Sequence, residues 1–236
     1  MLVHGFTQTG ASWAALASSL AADHEVICID APGHGGSSDV RADLVDGGRL
    51  IGDVGGRATY VGYSMGGRLA LHLALARPDL VERLVLLGAT GGIDDERERA
   101  ARRTADEVLA ASIEADGVAA FVDRWLAQPL FAGLPDDPAD RAHRGTNTAA
   151  GLASSLRLAG TGTQTPLWDR LPELSMPVLV LVGEHDTKFT ALGRRLAEAI
   201  GPNAAFAVVP GAGHAAHLER PDTFVALLRD WLNPHN

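Results

Sequence analysis

The chain has 236 residues, of which 46% are hydrophobic and 21% charged, so it can bury a sizeable core and is not a disordered chain. Its formal net charge of −9 argues against nucleic acid and anionic membrane surfaces as main partners, because both are bound through a basic surface. The single cysteine, Cys28, excludes an internal disulfide framework and a multi-cysteine zinc site, and no apolar run approaches the roughly 18 residues of a transmembrane helix.

The first residues, Met1 to Phe6, contain neither the basic region nor the apolar region of a signal peptide, which favours a cytoplasmic enzyme. After this start, short apolar runs recur, each followed by a glycine-rich turn and a helical pattern. Such runs are typical of strands buried on both faces, so the alternation predicts an α/β fold with a mostly parallel, doubly wound sheet. The runs cover residues 26–30, 59–63, 84–88, 178–183 and 205–210, and helical patterns cover residues 13–22, 67–76, 192–200 and 223–231.

Residues 90–172 interrupt this alternation. They contain no convincing strand, but helical stretches at residues 96–115, 117–127 and 146–158, with prolines between them. In open α/β folds ligands bind beyond the carboxyl ends of the strands, so an insertion leaving there would lie over the site. We therefore predict a helical cap at residues 90–172, inserted into a core formed by residues 1–89 and 173–236. Residues 40–56 have a poor hydrophobic pattern and are expected to hold a short helix.

The strongest motif is Gly62-Tyr63-Ser64-Met65-Gly66, which matches the G-x-S-x-G pattern. An apolar strand precedes it and a helical pattern follows, which is the context that this motif requires. Such a turn holds the serine in a strained, exposed position beside the positive end of a helix. A chance match in a chain with 27 glycines is the alternative, and the strand–turn–helix context disfavours it. We therefore predict that Ser64 is catalytic.

A catalytic serine needs a base and an acid, which in this motif order follow it along the chain as Asp and then His. His214 lies on the turn after the last strand and is favoured over His217, three residues further on. Asp186 follows the preceding strand and is favoured over Glu184. The acid would fix the histidine tautomer and stabilise the imidazolium.

The turn after the first strand, His4-Gly5-Phe6, supplies the other half of the predicted site. The backbone N–H groups of Phe6 and Met65 would form an oxyanion hole. His4 is expected to brace its loop through hydrogen bonds, and the turn at residues 30–35 is expected to be structural.

These motifs resemble the α/β-hydrolase superfamily over nearly the whole chain. Further motifs are similar to the 2-succinyl-6-hydroxy-2,4-cyclohexadiene-1-carboxylate synthase family of menaquinone biosynthesis. The superfamily resemblance rests on residues 4–5, 32–37, 62–67 and 211–214, and the synthase resemblance on residues 66–71, 98–106, 121–125, 128–131, 144–147, 151–153 and 186–189. This resemblance implies a lyase that needs no cofactor or metal and that removes pyruvate from a ring carrying three carboxylates.

The resemblance also implies which residues bind that anionic small molecule. Arginine provides a planar, bidentate donor for carboxylates, and Arg68, Arg102 and Arg144 match the family pattern, with Tyr63 and Trp125 lining the pocket. The alternative for Arg102 is a solvated helix face with i,i+4 ion pairs. Arg144 stands in a loop-like stretch, and Lys188 is expected to make a structural contact near Asp186.

The implied mechanism is proton abstraction by Ser64, assisted by His214 and Asp186, with loss of pyruvate. Whether Ser64 acts as a base or as a nucleophile stays open, because both roles use the same residues. The alternative functions are a carboxylesterase or another serine hydrolase of the same fold, and a non-catalytic binding protein. Three converging arginines would favour the lyase, and a pocket lined by Leu and Phe would favour the esterase.

The sequence departs from the superfamily at its start: the His-Gly strand comes first, so we expect the usual N-terminal hairpin to be missing, either because the start is short or because the protein dispenses with it. The hairpin normally covers the strand at residues 26–29, so this strand should form an exposed edge with unpaired backbone groups. We expect something to cover this edge, for instance another subunit in a homo-oligomer.

Overall fold

The computed structural model describes residues 1–233 and contains a six-stranded, all-parallel sheet in the order β2-β1-β3-β4-β5-β6. The predicted α/β architecture is confirmed. The strands are β1 (Leu2–Val3), β2 (Cys28–Ile29), β3 (Ala58–Tyr63), β4 (Val81–Leu87), β5 (Val178–Gly183) and β6 (Ala204–Val209).

Helices lie between the strands and after the last one. They are α1 (Ala14–Leu20), α2 (Leu44–Gly55), α3 (Met65–Ala76), α4 (Glu96–Asp116), α5 (Val118–Leu126), α6 (Pro138–Gly145), α7 (Ala149–Ala159), α8 (Thr187–Ile200), α9 (Ala216–Glu219) and α10 (Pro221–Leu232). Short 3-10 turns cover Gly10–Trp13, Gly35–Ser37, Pro129–Phe131 and Trp168–Glu173.

The sheet is buried on both faces, which explains the continuous apolar runs of the sequence. All six residues of β5 are buried, and alternate residues of this strand belong to two different hydrophobic clusters. Val178 and Val180 pack on one side, while Leu179 and Leu181 pack on the other. Because every side chain of such a strand must be apolar, periodicity of two is absent from its sequence.

The segment between β4 and β5 contains α4 to α7 and has a small core of its own. Phe121 and Leu152 are fully or almost fully buried in this cluster, and Phe6 of the core region packs against it. The predicted helices at residues 96–115, 117–127 and 146–158 correspond to α4, α5 and α7. That residues 90–172 form a separate cap on a core of residues 1–89 and 173–236 stays a prediction.

Two local expectations need correction. Arg144 lies in helix α6 and not in a loop, because Asp137 caps the helix by accepting the Ala139 N–H and Pro138 occupies its first turn. The helix expected between residues 40 and 56 is α2, and at 12 residues it is a full helix capped by Asp43.

Strand β2 forms one edge of the sheet, as the sequence analysis expects, but it has only two residues. A short edge strand offers few free backbone groups to another chain. The homo-oligomer through this edge stays a prediction, to be tested by the molecular mass in solution. Among residues 1–233, no helix is both long and apolar enough to cross a membrane.

Candidate active site

Ser64 lies on the sharp turn between β3 and α3, with a backbone φ of 51° and ψ of −105°. Glycines permit this turn because other backbone atoms occupy the space of a side chain. A Cβ on Gly66 would lie 2.1 Å from the Val3 carbonyl oxygen, and one on Gly62 would lie 2.5 Å from the Gly66 oxygen. The positive φ of a serine costs conformational energy, which is typical of functional turns.

A chain of hydrogen bonds joins Ser64 to two other predicted residues. The Ser64 Oγ lies 3.2 Å from Nε2 of His214, and Nδ1 of His214 lies 2.7 Å from Oδ2 of Asp186. His214 and Asp186 are buried, at 3% and 7% exposure. The other oxygen of Asp186 accepts the N–H of Phe189 and so caps α8, which fixes the carboxylate. This geometry can hold the imidazole ready to take the serine proton.

The two alternative residues lie away from this chain. Glu184 accepts the N–H of Gly211 at 2.7 Å on the surface. His217 is buried between the rings of Trp13 and Tyr63, with centroids 4.4 and 4.5 Å away. Burial, followed by the charge of Arg144, lowers the pKa of His217 to about 3. His217 is therefore a neutral packing residue.

The two residues predicted to supply oxyanion amides belong to the lining of the Ser64 cavity. Phe6 and Met65 both line the same cavity as the serine. Met65 is the first residue of α3, so its N–H has no partner within the helix. The hydrogen bonds found in turns and loops of residues 1–233 use neither of these two amides. Both are thus available to an oxygen of a ligand.

His4 and the turn at residues 30–35 hold the backbone near Phe6. His4 Nε2 accepts the N–H of Ala31 at 3.0 Å, and its Nδ1 lies 2.8 Å from the Gly5 oxygen. Burial lowers the pKa of His4 to about 4, so the ring is neutral. Asp30 accepts the N–H groups of Gly10 and Gly36. These contacts agree with the structural roles expected for both.

A cavity of about 400 Å³ opens in front of Ser64. Every residue predicted to bind substrate lines this cavity. Of the residues predicted to be catalytic, Asp186 is not part of the lining, because it lies behind the His214 ring. The predicted residues in the lining are Phe6, Tyr63, Ser64, Met65, Arg68, Arg102, Trp125, Arg144 and His214. The lining holds no Asp or Glu and also includes Lys188, so four cationic side chains face this cavity in a chain of net charge −9.

Arg68 differs from the other two arginines in its partners. Its Nη1 donates to the Ala159 carbonyl oxygen at 2.8 Å, and among residues 1–233 no carboxylate lies within ion-pair distance of it. Burial and then the charge of Arg102 lower its pKa to about 10. A buried guanidinium without a carboxylate is costly in free energy, so a bound anion would stabilise it.

Arg102 and Arg144 each pair with a carboxylate four residues later or earlier. Arg102 contacts Asp106 at 2.8 Å and is 37% exposed, so the ion-pair alternative holds for it together with its place in the cavity. Arg144 is 2% exposed, pairs with Asp140 at 2.6 Å and donates to the hydroxyl of Thr7. Thr7 follows Phe6 and has a φ of 69°, so Arg144 also stabilises a strained loop.

Lys188, expected to make a structural contact near Asp186, lies over the Phe189 ring, is exposed and also lines the cavity. Sequence reasoning missed Glu219, which is buried beside His214, because nothing local in the sequence marks it. Tyr63 packs 5.3 Å from the His214 ring, and burial raises the pKa of its hydroxyl strongly.

Comparison with known proteins decides the family. The model of the alpha/beta hydrolase family matches residues 1–227. The chain belongs to the alpha/beta hydrolase family.

Two similar proteins carry the name of one specific enzyme of this family, and one solved structure is highly similar to this chain. A Bacillus subtilis (strain 168) protein, provisionally named 2-succinyl-6-hydroxy-2,4-cyclohexadiene-1-carboxylate synthase, is 36% identical over 98% of this chain and 88% of its own length. An Escherichia coli O1:K1 synthase of that name is 32% identical over 97% of this chain and 91% of its own. The structure of MenH from S. aureus has a TM-score of 0.92 at 30% identity, covering 99% of this chain and 92% of its own.

Proposed function

We propose that this alpha/beta hydrolase is a carbon–oxygen lyase that eliminates pyruvate from 2-succinyl-5-enolpyruvyl-6-hydroxy-3-cyclohexene-1-carboxylate. The observation that carries the proposal is Arg68, a buried cation without a carboxylate partner among residues 1–233, in the wall of the Ser64 cavity. The names of the relatives support the same reaction. Ser64, His214 and Asp186 would be the catalytic residues.

The charge of the cavity wall fits a substrate with several carboxylates. Arg68, Arg102, Arg144 and Lys188 face the cavity, and its lining includes no carboxylate to oppose an anion. Charges inside such a cavity interact more strongly than on the surface, because less water screens them. Trp125 and Phe6, whose rings lie 5.2 Å apart, offer an apolar surface for the ring of the substrate.

The reaction would begin with removal of a ring proton next to the succinyl carbonyl. His214, oriented by Asp186, would accept the proton of Ser64, and the serine oxygen would take the ring proton. The amides of Phe6 and Met65 would bind the enolate oxygen that develops. When the carbonyl re-forms, its electrons make a new ring double bond beside the succinyl group, the existing ring double bond shifts by one position, and the carbon–oxygen bond to the enolpyruvyl group breaks. The proton held by His214 would then pass to the methylene carbon of the departing enolate, which gives pyruvate. A positioned base contributes about 10²–10⁴-fold in rate.

The direct test supplies the enolpyruvyl cyclohexene precursor and measures pyruvate release. We expect turnover with the wild-type chain and none with Ser64→Ala. If rapid hydrolysis of simple aryl esters occurs and no pyruvate appears that depends on Ser64, the lyase proposal is wrong.

A carboxylesterase is the second candidate, and a specific observation favours it. The cavity is also lined by Leu109, Leu130, Phe131 and Phe189, which suit an uncharged acyl group. A thermophilic esterase from Thermogutta terrifontis has a TM-score of 0.83 at 25% identity, covering 99% of this chain and 88% of its own. An uncharged ester, however, would give the unpaired guanidinium of Arg68 no anion to bind.

The proposal includes a cytoplasmic location and a small anionic substrate as the main partner, with no nucleic acid or membrane surface. The net charge of −9 disfavours nucleic acid and anionic membranes, while four of the 20 Lys and Arg side chains line the cavity and suit a small anion there. Fractionation of cells that express the tagged chain would test the location.

A further inference from the structure

Glu219 bridges the two peptide groups that flank His214. Its Oε2 accepts the N–H of Gly213 at 2.6 Å, and its Oε1 accepts the N–H of Ala215 at 3.0 Å. The residue is only 5% exposed. We infer that Glu219 is a positioning residue, whose carboxylate fixes the backbone of His214 so that the imidazole stays between Asp186 and Ser64. The inference rests on the proposed role of His214 as the base.

The bridge needs a carboxylate. Two N–H donors require two acceptor oxygens, and only an ionised carboxylate presents two oxygens without a donor of its own. Charge-assisted bonds are also stronger than neutral ones. A glutamine has one acceptor oxygen, and its NH₂ group would face the second N–H. Glu219→Gln therefore removes one of the two bonds while it keeps the size of the side chain.

The burial of Glu219 is otherwise unexplained. Among residues 1–233, no cationic side chain forms an ion pair with its carboxylate, and the neighbouring Arg220 donates instead to the Glu219 carbonyl oxygen. Burying a charge without a cation costs free energy unless hydrogen bonds compensate. Both compensating bonds come from the segment around His214. The free-energy cost of burying the Glu219 carboxylate is therefore compensated only while this segment keeps its position.

The His214 segment needs such a restraint. Gly211 and Gly213 precede the histidine, and Gly211 has a φ of 66°. Glycines leave a segment conformationally free. On the other side, a Cβ on Gly183 would lie 1.9 Å from the Gly213 oxygen, so β5 packs directly on this segment. A displacement of about 1 Å at a catalytic group can cost about 100-fold in rate.

The inserted helical region also reaches Glu219. A Cβ on Gly133 would lie 2.3 Å from Glu219 Oε2, so the backbone around Gly133 lies against the carboxylate. Phe131 of the same turn lies 6.2 Å from the His214 ring. The segment between β4 and β5 therefore contacts both His214 and the carboxylate that holds the His214 backbone.

The test compares Glu219→Gln with Glu184→Gln in the full chain. Glu184 is a matched control, because it accepts one N–H of the same segment, from Gly211, but is exposed, and the N–H groups of Gly213 and Ala215 donate to Glu219 instead. We expect Glu219→Gln to lower kcat about 10- to 100-fold with KM within about twofold. Glu184→Gln should leave both constants unchanged.

A second measurement needs no substrate. The downfield proton resonance of His214 Nδ1–H, identified by its loss in Asp186→Asn, reports the hydrogen bond to Asp186. We expect Glu219→Gln to shift or broaden this resonance and Glu184→Gln to leave it in place. A merely structural role would lower the melting temperature without changing the resonance of the folded protein.

A second variant, Gly133→Ala, keeps the Glu219 carboxylate but adds a methyl group that would displace it. This variant tests the inference even if Glu219→Gln fails to fold. We expect a smaller change of the same kind, whereas Gly145→Ala, with nothing within 4 Å of its Cβ, should leave kcat unchanged. The inference is overturned if Glu219→Gln and Gly133→Ala both keep the wild-type kcat and resonance. If the wild type releases no pyruvate but the resonance responds to Glu219→Gln, the proposed function fails and the inference stands.

Discussion

The strand ends and the helices between β4 and β5 both contribute residues to the lining of one cavity, but different interactions stabilise them. Ser64 and His214 follow strands β3 and β6, where close backbone contacts between glycines and neighbouring strands fix their positions. Arg102 and Arg144 project from α4 and α6, where ion pairs to Asp106 and Asp140 hold them. We infer that the first region supplies the chemistry and the second the binding, so substitutions should separate kcat from KM.

The largest expected effect tests the chemical side of this comparison. Ser64→Ala should lower kcat for pyruvate release by at least about 10³-fold, because the proton acceptor is lost. The precursor should still bind, since no cationic side chain is changed. Steady-state kinetics and titration calorimetry with the precursor would measure both. Equal loss of binding and turnover would contradict the division between the two regions.

Arg68 is the exception to the comparison, because it belongs to α3 but faces the substrate. Arg68→Met should weaken precursor binding by about 1.5–3 kcal/mol, the loss of a hydrogen bond to a charged group. It should also raise the melting temperature, because an unpaired buried cation is removed.

Arg144→Met is the matched comparison for this prediction. It also removes a cation from the cavity, but it leaves Asp140 without its partner, so it should lower the melting temperature. Melting curves and KM values of both variants would decide. If Arg68→Met lowers stability as much as Arg144→Met, Arg68 is a structural residue.

The sequence predicts the strand-end region better than the binding region, for a physical reason. Ser64 is marked by glycines that its turn requires, and β5 by an unbroken apolar run, so both signals are local. Arg144, in contrast, donates to Thr7, 137 positions away, and no local pattern reports such a contact.

Helix α6 and Glu219 show two different reasons for failure. Helix α6 carries start signals in Asp137 and Pro138, but it is only eight residues long and polar, and the residue that it buries is Arg144, so no row of apolar side chains marks it in the sequence. The role of Glu219 depends on two backbone N–H groups, and backbone hydrogen bonding is independent of the identity of the residues that donate. Such bonds become visible only in three dimensions.

Acid should destabilise the strand-end region through its buried histidines. The pKa of His217 falls to about 3 in the folded chain, from an ordinary value of 6.5. Below about pH 6.5 the unfolded chain binds a proton that the folded chain does not, so stability falls with pH down to about 3. At about pH 5 this single group should cost about 2 kcal/mol. Urea unfolding at pH 7 and pH 5 should therefore show a smaller loss for His217→Phe than for the wild type.

The smallest expected effect concerns Lys188, which follows β5 and, unlike Arg68 and Arg144, is exposed. An exposed cation contributes little to binding and is screened by salt, so Lys188→Met should raise KM only a few-fold, less than Arg68→Met. The difference from wild type should disappear at high salt, whereas that of Arg68→Met should persist because Arg68 is buried. KM measured at low and high salt would distinguish the two. A salt-independent loss at Lys188 would mean that it contacts the substrate in a closed cavity, and the exposed and buried cations would then act alike.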